Sequence, residues 1–60
     1  MEEDLNSMLQ PGMRVRHPDR PDWGIGQVQS RIQGRVTVNF ENEGKVVLDG
    51  RRIALLPVFE

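Results

Sequence analysis

The sequence predicts an all-β domain, five short strands closed into a small barrel behind a short N-terminal tail. Three observations carry this prediction. From Gly12 onward apolar and polar residues alternate with period two, as strands with one buried face do. Clusters of Gly, Pro, Asp and Asn interrupt that alternation every few residues, marking turns between short strands. Nothing else in the chain is long enough to cover the apolar face of an open sheet. Closing the sheet on itself then solves both the core and its edges.

Residues 1–11 read as a flexible or weakly helical acidic tail, with Glu2, Glu3 and Asp4 leading and Leu5, Met8 and Leu9 at helical spacing. Pro11 disfavours helix at Gln10. The barrel occupies residues 12–60. Its first strand alternates Met13, Val15 and His17 with Arg14 and Arg16, and two prolines and two aspartates at 18–22 make a loop. Trp23-Gly24-Ile25-Gly26 re-enters the fold, the glycines allowing a tight bend. Val28, Ser30 and Ile32 alternate with Gln27, Gln29 and Arg31 on the second strand, and Gln33-Gly34 turns the chain. Val36, Val38 and Phe40 point inward on the third. The loop at 41–44 ends in Gly44, suited to a left-handed conformation. Val46 and Leu48 share one side of the fourth strand, Asp49-Gly50 turns again, and a 3₁₀ turn is expected near 52–55. Pro57 is tolerable in a last edge strand. The expected inward set is Val15, Ile25, Val28, Ile32, Val36, Val38, Phe40, Val46, Leu48, Ile53, Leu56 and Val58.

Size and composition narrow the function. Sixty residues make one small domain, burying only about 60% of the surface its unfolded chain exposes. A surface patch suits such a domain better than an enclosed catalytic cavity. There is no cysteine, hence no disulfide and no thiolate metal site, and a reducing compartment is favoured. The acidic start is unlike a signal peptide, and no apolar run approaches the ~18 residues of a membrane span. The expected setting is cytoplasmic and away from membranes. The net charge is −1, but without the three acidic residues of the tail it becomes +2.

The segments Gly12-Met13-Arg14-Val15-Arg16-His17-Pro18, Trp23-Gly24-Ile25-Gly26-Gln27-Val28 and Arg35-Val36-Thr37-Val38-Asn39-Phe40 resemble, in order and spacing, the Tudor-like C-terminal domain of UvrD/PcrA-type helicases. They resemble more loosely the RNA-polymerase-binding domains of CarD-type regulators and of the transcription-repair coupling factor. The nearest likeness is to short stand-alone bacterial proteins of this type with no assigned function. The resemblance covers roughly residues 12–58. It implies an SH3-like (Tudor/KOW-like) barrel, a non-catalytic role, and docking to a protein of the transcription or repair machinery such as RNA polymerase. The longer Pro-Asp loop at 18–22 departs from the helicase pattern, and no attached helicase is expected.

The residues themselves argue for binding over catalysis. His17, Asp19 and Asp22 lie close in sequence but lack a recognised ligand spacing, so no metal is expected. Gly24-Ile25-Gly26 leads into a strand, whereas phosphate loops end at a helix N-terminus. Nucleophilic catalysis needs a nucleophile beside a base and an orienting group, and one histidine with no cysteine does not offer that set. A methyl-lysine cage needs several aromatic walls, and with no tyrosine Trp23 stands alone, Phe40 and Phe59 being assigned to packing. Trp23 is read either as a partner anchor or as a lid beneath the 18–22 loop, burial of its indole favouring the lid. Arg14, Arg16, Arg31 and Arg35, with Gln27, Gln29, Thr37 and Asn39, are expected on one outer polar face. Seven arginines to one lysine suit carboxylate or phosphate contacts. Expected contact residues are Arg14, Arg16, Asp19, Arg20, Trp23, Arg31 and Arg35. The first reading is protein–protein interaction without a cofactor. The alternative is weak nucleic-acid binding through the arginine face, against which stand the acidic arm and the lack of a stacking platform.

Overall fold

The computed structural model describes residues 8–59. The acidic residues 2–4 and Leu5 of the expected helical turn lie outside the described residues. Five antiparallel strands form one sheet: β1 (Arg14–Arg16), β2 (Ile25–Ile32), β3 (Arg35–Phe40), β4 (Gly44–Asp49) and β5 (Leu56–Pro57), in the order β4-β3-β2-β1-β5. The all-β expectation and the strand count hold. The expected closure does not: among the described residues no ladder joins β4 to β5. β5 is two residues long and contains Pro57, which has no N–H to donate to a second neighbour. It pairs with β1 instead, and Val58 N–H donates to the Arg14 carbonyl at 2.9 Å.

With the sheet open, its inner face is covered by irregular chain. Val15, Val28, Val36 and Val38 are fully buried, with Phe40 and Leu48 beside them. Leu9 and Leu55, both outside the strands, are buried against these, and Met13, Trp23, Val46 and Ile53 pack around the cluster. Leu9 comes from the segment read as tail, and its carbonyl accepts a hydrogen bond from Arg31 Nε at 3.2 Å.

The turns follow their residues. Gln33 and Gly34 both take positive φ (51° and 78°), the two-residue hairpin geometry that matches strand twist. Gly44 is left-handed at φ 82°, as its place at the end of the 41–44 loop required. The 3₁₀ turn lies at Pro21–Trp23 rather than near 52–55. Pro21 presets φ for a first helical turn, and Gly24 (φ 78°) ends it, its N–H donating to the Pro21 carbonyl. At 49–52 the Asp49 side chain takes over instead, accepting the Arg51 amide at 3.0 Å, an Asx-type turn.

The inward assignments need several corrections. β2 carries a bulge between Val28 and Ser30, so that Val28 pairs with Val38 but Ser30 with Thr37. One extra residue reverses which side chains face the core. Ser30 shares the outer side with Thr37. Beyond it Arg31 stands opposite buried Val36, and Ile32, opposite Arg35, faces solvent at 65% exposure. Ile25 sits opposite Arg16 on the outer face because Gly26, not Ile25, shares parity with Val28. Leu56, also opposite Arg16, is 52% exposed. Phe59, assigned to packing, lies beyond β5 and is exposed.

Gly26 has no room for a side chain. A Cβ there would strike Val38 Cγ1 and lie 2.7 Å from Phe40 Cδ1. The Phe40 ring occupies the space a side chain would need. Gly26→Ala is therefore expected to destabilise the fold by about 1–3 kcal/mol, the usual effect of overpacking. Urea unfolding checks it, and an unchanged midpoint would contradict this packing.

Candidate binding surfaces

Cross-strand register sets the rows of the solvent face, because directly opposed residues share a side of the sheet. One row runs Leu56, Arg16, Ile25. The next runs Arg14, Gln27, Asn39, Lys45. Beyond the bulge follow Ser30, Thr37, Val47, then Ile32, Arg35, Asp49. Arg14, Gln27 and Asn39 line a shallow groove of about 570 Å³ whose far end is formed by Glu41 and Gly44. A smaller hollow of about 300 Å³ lies at Arg35, Val47 and Asp49.

The expected arginine face is divided. Arg14 and Arg16 are exposed on β1 and Arg35 on β3, but Arg35 lies four residues along β3 from the Arg14 row, roughly 13 Å at strand rise. Arg31 takes core-side parity and reaches the Leu9 carbonyl.

Asp19, Arg20 and Trp23 belong to a separate feature at the 18–24 loop. Trp23 is half-buried between two edge-on rings, His17 at 5.0 Å and Phe40 at 5.2 Å between centroids. Offset and edge-on pairs of this kind suit the ring quadrupoles. The Arg20 guanidinium lies 5.8 Å from the indole centre, within cation–π range. His17 is 7% exposed, and its Nδ1 accepts the Asp19 amide at 3.1 Å. The ring is therefore spent on shaping the loop, and among the described residues no three His, Asp or Glu side chains converge as metal ligands would.

A second loop clasps the first. Glu41 Oε1 accepts the Ile25 amide at 2.9 Å, and Asn42 Nδ2 donates to the Asp22 carbonyl at 3.0 Å. The Asn42 amide donates to the Trp23 carbonyl at 3.0 Å. Gly24 permits this approach, since a Cβ there would lie 2.8 Å from Glu41 Oε1. Sequence reasoning missed the clasp, as its partners lie 16 and 20 residues apart and carry no local signal. It also missed Val47 on the outer face, although Val46-Val47-Leu48 is an unbroken apolar run. In a strand such a run must turn one member to the other side.

Asp49 is the acidic residue of the outer face. The Arg51 amide above all, and then the charges of Arg51 and Arg52, hold its carboxyl below its ordinary value of 3.8 despite an opposing desolvation. Both guanidinium groups stand 3.6 Å from its oxygens. A depressed folded value means that the stabilisation is complete above pH 3.8 and is lost as pH falls through the folded value. Asp49→Asn keeps the turn acceptor but not the charge. Unfolding midpoints across roughly pH 2–6 are expected to show a flatter acid limb for this variant, and parallel curves would contradict the assignment.

A family model described as a protein of unknown function (DUF3553) matches residues 9–58. No curated protein and no solved structure matches the sequence significantly.

Proposed function

Because the chain belongs to the DUF3553 family, whose description assigns no activity, we propose from its surface that it is a non-catalytic protein-binding module. The observation that carries this reading is a repeated pairing on the solvent face. Leu56 lies opposite Arg16, and Ile32 opposite Arg35, each apolar side chain more than half exposed. Arginine and large apolar groups are the residue types that protein interfaces favour. The pairing suits a partner segment that mixes carboxylates with apolar side chains. The likeness of roughly residues 12–58 to Tudor-like and CarD-type domains supports a partner in the transcription or repair machinery, with RNA polymerase the first to try. The absence of cysteine supports a cytoplasmic setting.

The same likeness supports reading the sheet as an opened SH3-like barrel. The order β4-β3-β2-β1-β5 makes the eight-residue β2 the central strand, and its bulge supplies a bend, as bulges do. Arg16→Glu and Arg35→Glu, each on the tagged protein, test the function. Capture of the partner, measured by quantitative mass spectrometry and then with purified RNA polymerase, is expected to fall about tenfold in each, the equivalent of about 1.4 kcal/mol. Equal capture by wild type and both variants would sink the reading.

One observation favours a second reading. The row Arg14, Gln27, Asn39, Lys45 is polar throughout and cationic at both ends, a geometry suited to a nucleic-acid backbone. Binding of that kind weakens steeply with salt. Amide shifts along this row on adding short oligonucleotides, present at low salt and lost at moderate salt, would favour it over a protein partner.

A further inference from the structure

We propose that the protein forms a two-fold homodimer by antiparallel pairing of the β4 edges, centred on Val47. β4 ends the sheet and spans six residues, so one side of its backbone faces no other described strand. The ladder says which groups point there. The Gly50 amide donates to the Gly34 carbonyl at 2.7 Å. With Arg35 opposite Asp49, the alternation of antiparallel ladders makes Val36–Leu48 and Val38–Val46 the bonded pairs. The backbone groups of Lys45, Val47 and Asp49 therefore point away from β3. The Asp49 carbonyl already accepts the Arg52 and Ile53 amides. Three amides and the carbonyls of Lys45 and Val47 remain directed at the free edge.

A second β4 can meet this edge only where outward groups face outward groups, and charge then selects among the registers. Centred on Lys45, two lysines oppose; centred on Asp49, two aspartates oppose. Centred on Val46 or Leu48, one charged residue meets Val47 and the charges go unmatched. Centred on Val47, Lys45 stands opposite the partner's Asp49 at both ends, and the two copies of Val47, 60% exposed in one chain, meet at the axis. On the other face Val46 of each chain meets Leu48 of the other, extending both cores side by side. Two backbone bonds form between the Val47 residues; beside Asp49 the Arg52 and Ile53 amides already take the carbonyl, so the ends are joined through the Lys45 and Asp49 side chains. Such a contact is isologous. Arg35, Arg51 and Arg52 also face Asp49. The Asp49 side chain nevertheless stays 42% exposed.

The strip is narrow, so a weak dimer is expected, with a dissociation constant between about 10 µM and 1 mM. Analytical ultracentrifugation of the full chain across that range reads it directly. Lys45→Glu sets one carboxylate against another, that of Asp49, and Asp49→Lys sets two lysines together, at both ends of the strip. Each is expected to weaken the dimer about tenfold or more. Mixing the two variants restores opposite charges at both ends and is expected to give a heterodimer. Val47→Lys, which keeps the Asp49 turn intact, places two cations at the axis and is expected to give a folded monomer whose amide shifts differ only around β4 and its neighbour β3. A wild-type protein that stays monomeric at about 1 mM overturns the proposal. So does a dimer untouched by both Lys45→Glu and Val47→Lys.

Discussion

A sheet with one apolar face must have that face covered, and this chain has no α-helix among its described residues to do so. The rest of the architecture follows from how the cover is made. Leu9 and Met13 approach from the N-terminal side and Ile53 and Leu55 from the link between β4 and β5. These segments lie across the inner face, so the chain does not close its ladder, and two edges remain. One edge is blunted by brevity and by Pro57, common devices against unwanted pairing. The other, β4, is three times as long.

The bulge in β2 distributes the surface chemistry. Without the extra residue Arg31 would join the outer face and Ile32 the core. With it, Arg31 holds the Leu9 segment in place, and Ile32 joins Arg35 and Asp49 on the solvent side. A single inserted residue thus converts an arginine face into a mixed apolar and cationic one. That mixture is what inclines the functional reading toward protein over nucleic acid.

A second line of dependence runs from Gly26 through three rings. The absence of a side chain at Gly26 admits Phe40, Phe40 supports Trp23, and Trp23 supports His17. The loop clasp of Glu41 and Asn42 fixes the backbone around Trp23 from the other side. The Pro-Asp loop is thereby held at both ends, and the indole is committed largely to structure, with Arg20 over its ring.

The all-β class, the five strands, the hairpin turns at Gln33-Gly34 and Gly44, and the inward faces of β1, β3 and β4 were legible in the amino-acid pattern. These depend on local alternation and on backbone conformations that particular residues favour, so they can be read a few residues at a time. Where the alternation slips was not legible, because a bulge in β2 is defined by its pairing with β3 and leaves the composition of the strand unremarked. Long-range packing also chose which irregular segments cover the core, buried Leu9 while leaving Leu56 exposed, and kept the sheet open. Those outcomes turn on contacts between residues far apart in the chain. For the same reason the seven residues singled out for binding fall into three places. Arg14, Arg16 and Arg35 lie on the solvent face, Asp19, Arg20 and Trp23 at the clasped loop, and Arg31 beside Leu9.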